Sequence, residues 1–290
     1  MSRPPRTGRE RPRLTSRPAS RPPRRWPAWT AAALLGALAL LGPVIVGALG
    51  LDPDRPDILH ALAPPSAHHW FGTDLIGRDL FARVLIATRL DLAMACAAVL
   101  LSACAGGALG AGGAMLGGAP ERLLQRTVDV AMAFPLFVVA LALAAVFGNS
   151  VGSVVLATAL INLPFYARLA GAEVGVRLHA PYVAAARLAG WRETRILTRV
   201  LLPNVLPSLI VQMSVNLGWA MLNGAGLSFV GLGIRPPAAE WGVLVGEGAR
   251  FMMTGQWWLA TFPGLALCGA VLTLSVVGDR LRDHFDPRRR

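Results

Sequence analysis

Val130–Ala167, VAMAFPLFVVALALAAVFGNSVGSVVLATALINLPFYA, carries no charge over 38 residues. As one α-helix it would be roughly 57 Å long, nearly twice the ~30 Å hydrocarbon core of a bilayer. Gly148-Asn149-Ser150-Val151-Gly152 near its middle is a turn sequence, so the stretch reads as two helices joined by a tight loop. Outward from it lie four more uncharged runs long enough to cross a membrane: Ala28–Leu51, Leu92–Pro120, Val200–Ile234 and Phe251–Gly278. The expected fold is all-α, a polytopic membrane protein with six transmembrane helices.

The composition agrees. Hydrophobic residues make up 54% and charged residues 15% of the chain, where a soluble domain carries about a quarter charged residues. Mean hydropathy is +0.52. All 28 basic residues are arginine, set against 16 acidic ones, for a net charge of +12. A chain with no lysine has no Walker A loop, no Schiff-base lysine and no pyridoxal-phosphate attachment. Cys96, Cys104 and Cys268 fall in apolar runs with neither metal-ligand spacing nor a disulfide framework, and read as small buried thiols.

Six crossings put both ends of the chain on one side. Of the 28 arginines, 22 lie on that side: within 1–25, 121–126 and 168–199, and after Gly278. The positive-inside rule then makes both termini cytoplasmic. The expected organisation is an Arg/Pro-rich tail over 1–27, an uncleaved anchor helix over 28–51 and a periplasmic segment over 52–84. The main membrane domain follows over 85–280, with a cytoplasmic loop at 168–203, and a tail over 281–290 ends the chain. The first tail has too few apolar residues to bury a core and is expected to be disordered. Its arginines suit anionic membrane lipid rather than nucleic acid.

The second span is crowded with glycine and alanine around Gly106, Gly107, Gly110, Gly112 and Gly113, which permits close approach of a neighbouring helix. Asp129 reads as a helix N-terminal residue at the start of the third span. Trp70, Trp241, Trp257 and Trp258 read as interfacial anchors. His60, His68 and His69 have no fixed ligand spacing, so no metal site is expected. No buried carboxylate or histidine relay is legible inside the runs, so energy for any transport must come from elsewhere.

The loop 168–203 has helical signals of its own. Pro181 suits a first helical turn, Tyr182-Val183-Ala184-Ala185-Ala186-Arg187-Leu188-Ala189 continues it, and Gly190 ends it. A second helix, 191–202, would put Arg192, Arg195 and Arg199 on one face, with Leu202-Pro203 closing it.

That stretch resembles the EAA loop of bacterial ABC importer permeases, which reads Glu-Ala-Ala, three residues, Gly, nine residues, then Ile-x-Leu-Pro. Phe71-Gly72-Thr73-Asp74-Leu75-Ile76-Gly77-Arg78-Asp79 is similar to the Gly-Thr-Asp-x-x-Gly-Arg-Asp segment of the dipeptide, oligopeptide and nickel branch. Ser228 to Pro237 with Glu240-Trp241-Gly242, then Trp257-Trp258 to Phe262-Pro263-Gly264, and the ending from Gly278-Asp279-Arg280 also match that branch. Two positions depart: Ala184 stands where the motif has Glu, and Gly171 where the family often has Arg.

The resemblance implies a type I permease architecture and no bond-making chemistry in this chain, which would bind no cofactor. ATP and Mg would sit on two separate ABC ATP-binding subunits docked at Tyr182–Gly190. A second, homologous permease would complete a heterodimeric pore, and a periplasmic binding protein would deliver di- or oligopeptides, or nickel, to 52–79 and 231–256. The alternative is an ATP-independent secondary transporter or channel. That reading calls for an internal repeat, and none is visible here.

Overall fold

The computed structural model describes residues 28–285; the arginine-rich tail lies outside them. Among the described residues there is no strand, only an isolated bridge between Thr73 and Asp79. The helices are α1 Ala28–Ala48, α2 Leu80–Leu116, α3 Gly118–Met132, α4 Leu136–Phe147 and α5 Val151–Arg177. They continue as α6 Pro181–Leu188, α7 Glu193–Ile196, α8 Leu202–Phe229, α9 Trp241–Ala249 and α10 Trp258–Phe285.

Five helical stretches are long and apolar enough to cross a membrane: α1, α2, α5, α10 and the continuous run Glu193–Phe229 through α8. The sixth crossing is not a straight helix. Pro135 cannot donate to a helical ladder and forces the residue before it out of helical geometry, so α3 and α4 meet at a 90° bend. Helix packing still requires a crossing there. On α2, Gly106 and Gly110 lie against Leu163 and Ala167 of α5, in the same order along both chains. The two helices therefore run parallel, and the bent pair must carry the chain back between them. Along α8, Ser214 and Val215 lie by Gly278 of α10 but Gly218 by Val271 and Ser275. Leu209 lies by Gly107 of α2, while Ala220 to Ala225 line a cavity with Asp91 to Ala98 of α2 and Val154 of α5. That makes α8 antiparallel to α2, α5 and α10. With Gly42 on Leu85 and Val46 among Ala82 and Leu85, α1 is antiparallel to α2 as well. The start of α1, the end of α10 and the α6–α7 loop thus face one end of the bundle, called here the loop end. The segment between α1 and α2 covers the other, the capped end.

Gly106, Gly110 and Gly113 of α2 permit the close approach their spacing implies, whereas Gly112 has nothing within 4 Å of its Cβ position. A Cβ at Gly110 would overlap the Ala167 carbonyl, and Gly171 on α5 stands with its own Cβ position 3.3 Å from the Gly110 carbonyl oxygen. Backbone lies on backbone along this seam.

Several boundaries and placements differ from those read in the sequence. Helix α2 begins at Leu80, twelve residues before its charge-free run, because Asp79 caps it through its side chain onto the Ala82 N–H at 2.9 Å. Asp129 sits near the C-terminus of α3, not at a helix start, and pairs with Arg168 at 2.5 Å. Of the four tryptophans read as anchors, Trp241 and Trp258 are buried, and Trp70 and Trp257 are half exposed. Cys104 and Cys268 are exposed on the single chain and Cys96 is half-buried, since lipid satisfies an apolar helix face without any protein cover.

Candidate functional site

At the loop end, α6 is held down by one face and open on the other. Val183 is fully buried with Ile196, Leu201 and Val174, while Ala186 and Trp191 pack around them. Tyr182, Ala184, Ala185, Arg187 and Leu188 are exposed, Leu188 to 90%. The helix stops at Gly190, whose φ of +77° is left-handed. Its N–H donates to the Arg187 carbonyl at 3.0 Å and that of Trp191 to the Ala186 carbonyl at 3.1 Å, the bond pair of a Schellman turn. Arg187 then reaches across the turn to Glu193, Nε to Oε1 at 2.8 Å and Nη2 to Oε2 at 3.1 Å. This hydrogen-bonded carboxylate holds the Arg187 guanidinium above its ordinary pKa. Arg195 lies over the Trp191 ring with its Cζ 4.1 Å from the centroid.

The second limb differs from the expected helix over 191–202. Its first helical residue is Glu193, with Arg192 outside as the N-cap. A π-helical turn, Leu197–Leu201, leads straight into α8, so Pro203 does not close the limb. Proline is tolerated there because it falls in the first turn of α8, and the Leu202 N–H reaches back five residues to Leu197. Arg192, Arg195 and Arg199 are all exposed. One continuous helix links the loop to the middle of the bundle.

At the capped end the other sequence motif is internal structure. Asp74 accepts from the Arg78 Nε at 2.6 Å and from the backbone N–H groups of Ile76 and Arg78 at 3.0 and 2.9 Å. Asp79 holds the His69 ring at 2.9 Å. Thr73, Asp74, Arg78 and Asp79 are all buried, with Gly72 and Gly77 at the turns between them. Among the described residues no histidine, cysteine or acidic group assembles a metal-binding cluster; His60 pairs with Asp57 instead, and that bond lowers the Asp57 carboxyl below its usual range.

The motifs that lie apart in sequence meet here. Phe71 stacks on Phe262 with centroids 4.2 Å apart, and the Trp258 indole N–H points at the Thr73 carbonyl at 3.5 Å. Asn149, in the turn between α4 and α5, donates to the carbonyls of Gly231 and Gly233 at 2.9 and 3.0 Å.

Glu240 of the sequence motif and three residues the sequence did not single out, Arg83, Asp91 and Glu247, complete this end. Arg83, fully buried, donates to the Pro237 carbonyl at 3.0 Å and lies 3.6 Å from Asp74. Glu240 caps α9 with both carboxylate oxygens, on Gly242 and Val243 at 3.0 and 2.8 Å, and burial pushes its carboxyl up. Asp91 of α2 accepts from the Trp241 backbone N–H at 3.1 Å, and the Trp241 indole donates to the Val84 carbonyl at 3.0 Å. Burial also raises Glu247, against the pull of Arg83.

Residues 98–290 match the family model of the binding-protein-dependent transport system inner membrane component. The chain belongs to this family. It is a multi-pass membrane permease subunit of an ABC importer that works with ATP-binding subunits and a substrate-binding protein; ATP hydrolysis is the work of those separate subunits, so it is not itself an enzyme. It is 39% identical to the probable D,D-dipeptide transport system permease protein DdpC of Escherichia coli (strain K12), over 82% of this chain and 79% of that one. It is 36% identical to the nickel transport system permease protein NikC of the same strain, over 91% and 95%. The glutathione transport system permease protein GsiD of Pectobacterium atrosepticum shares 38%, over 77% and 74%. In fold, the permease is similar to the MetNI methionine ABC transporter in an inward-facing conformation, with a TM-score of 0.57, 18% identity, and coverage of 69% of this chain and 95% of that one.

Proposed function

We propose that this permease forms half of a translocation pathway for di- or oligopeptides, or nickel, that a homologous second permease forms the other half, and that a pair of ATP-binding subunits drives it from the loop end. The single observation carrying this reading is the α6 turn. It exposes Tyr182, Ala184, Ala185 and Leu188 to a partner, while Val183 and the run from Glu193 into α8 weld it to the bundle. A push on α6 must then move α8, because a packed helix pair transmits displacement as a rigid body. Arg187, Gly190, Arg192 and Arg195 shape the docking face, and Leu202 and Pro203 begin the lever.

With the loop end cytoplasmic, both termini are cytoplasmic and the capped end is periplasmic, in line with the distribution of arginines. The binding protein would then meet 52–79 and 231–256. Buried as they are, Thr73, Asp74, Arg78 and Asp79 keep that platform rigid instead of touching cargo. The permease binds no cofactor of its own; ATP and Mg belong to the partner subunits.

The test is Leu188→Asp in the transporter reconstituted in vesicles. Loss of binding-protein-stimulated ATP hydrolysis, with the permease still folded and inserted, is the expected result. Solute flux through the lone permease in the absence of nucleotide would overturn the reading.

A further inference from the structure

Two carboxyl groups meet inside the bundle where α2, α5, α8 and α9 converge. Asp91 and Glu240 are 3% and 0% exposed, and Asp91 accepts from the backbone N–H of Trp241, the residue next to Glu240, so both carboxyls sit at the start of α9. Among the described residues neither forms an ion pair. Of the charged groups on the same elements, Arg83 is turned to Asp74 and the carbonyls of Pro53 and Pro237, Arg89 is exposed, and Glu247 belongs to the environment of Arg83 and Arg78. The remaining neighbours are hydroxyls, Ser228 from α8 and Thr158 from α5. Both Glu240 oxygens accept from backbone N–H groups, and one Asp91 oxygen accepts from Trp241. The other, Oδ1, has no partner, nor has the Thr158 hydroxyl, which is 2% exposed. Asp91 and Thr158 line the same cavity of about 10 Å³, walled otherwise by Met, Ala, Val and Gly side chains.

We infer that Asp91 and Glu240 form a buried proton-binding site: one proton shared between the two carboxyls, with a single water in the adjoining cavity joining Asp91 Oδ1 to the Thr158 hydroxyl. Two buried carboxylates at one helix end with no cation repel each other strongly in a medium of low polarity, so one of them keeps its proton. The cavity has about the volume one water needs, and its two orphaned polar atoms give that water its hydrogen bonds. A metal cation would find two oxygens and an apolar wall, too few ligands to replace its hydration shell. The protonated pair pins the first residue of α9 onto α2, and it does so whatever solute the permease carries.

The direction of the pH effect follows from linkage. The folded protein holds a proton that the unfolded chain, with ordinary carboxyls, releases from about pH 4.5 upward. Stability is then full below that range and declines as pH rises, by up to about tenfold in the folded-to-unfolded ratio per pH unit, until the folded pair itself deprotonates. Asp91→Asn is the decisive variant: its amide accepts from the Trp241 N–H and donates to Glu240 without a proton to lose. The experiment follows thermal unfolding of the full-length purified permease between about pH 5 and about pH 8, with infrared spectra at neutral pH. The wild type should lose stability as pH rises and show a protonated-carboxyl carbonyl band; Asp91→Asn should lack the band and respond weakly to pH. Thr158→Val should keep the band but shift it. Absence of the band in the wild type, equal pH slopes in wild type and Asp91→Asn, or stability that tracks sodium or potassium instead of pH would each overturn the site, and an unshifted band in Thr158→Val would remove the water. If Asp91→Asn does not fold, loss of the band in Glu240→Gln takes its place, and its persistence there overturns the site.

Discussion

Arg187 and Glu193 form a two-point fork across the Gly190 turn, joining the end of α6 to the first residue of α7. An exposed pair of this kind contributes little to global stability because water and salt screen it. Its consequence is geometric, since it fixes the angle at which Leu188 projects. Glu193→Ala should leave the thermal midpoint unchanged and reduce binding-protein-stimulated ATP hydrolysis by about two- to fivefold, with the loss growing milder at high salt, where the wild-type fork is already weakened. Hydrolysis assays at two ionic strengths read this directly.

Gly190 carries the sharper requirement. A side chain in its left-handed conformation costs about 1–2 kcal/mol, and Gly190→Pro also removes the N–H that bonds to Arg187 and forbids the positive φ. Gly190→Ala should weaken coupling partially and Gly190→Pro abolish it, with both proteins still inserted. Wild-type uptake by Gly190→Pro in reconstituted vesicles would show that the turn transmits nothing.

How far the sequence could be read depended on whether the deciding interaction was local. The turns at Gly148-Asn149-Ser150 and Gly190 were legible because each is set by its own residues. Pro203 misled because the π turn that lets the helix run on through it depends on packing of Leu201 and Val205, not on any local signal. Asp91 stands one residue outside an uncharged run and looks like a solvated loop residue until α9 folds against it. Trp241 resembles an interfacial anchor for the same reason, since its partner, Val84, lies 157 residues away. The docking loop was therefore visible in outline and the capped end only as a set of separate motifs.

The α2–α5 seam gives a stability prediction with an internal control. Gly110→Val would drive a branched side chain into the Ala167 carbonyl, where backbone cannot yield without parting the helices, at a cost of at least about 1–3 kcal/mol. Two residues on, Gly112 has nothing within 4 Å of its Cβ position. Gly112→Ala should be neutral or stabilising by up to about 1 kcal/mol through helix propensity. Thermal unfolding of the two variants in the same detergent separates a packing seam from a general excess of glycine; equal effects would mean the seam is not close-packed.

Arg83 ties three pieces of the capped end together: Asp74 of the sealed segment, the Pro53 carbonyl at its start, and the Pro237 carbonyl ahead of α9. Its side chain is fully buried, so deleting it strands two carbonyls and takes one of two arginines from Asp74, while Arg78 keeps the other contact. Breaking a buried charged network by removing one partner costs about 3 kcal/mol. Arg83→Lys should recover only part of it, since a single ammonium cannot serve Pro237 and Asp74 with the spread of a guanidinium. The loosened segment 52–79 should then become accessible to protease added at the capped end in both variants, more so in Arg83→Ala, while ATP hydrolysis that does not depend on the binding protein persists. Unchanged protection of that segment in Arg83→Ala would mean the cap is held by the Phe71–Phe262 stack and the Asp74–Arg78 pair alone.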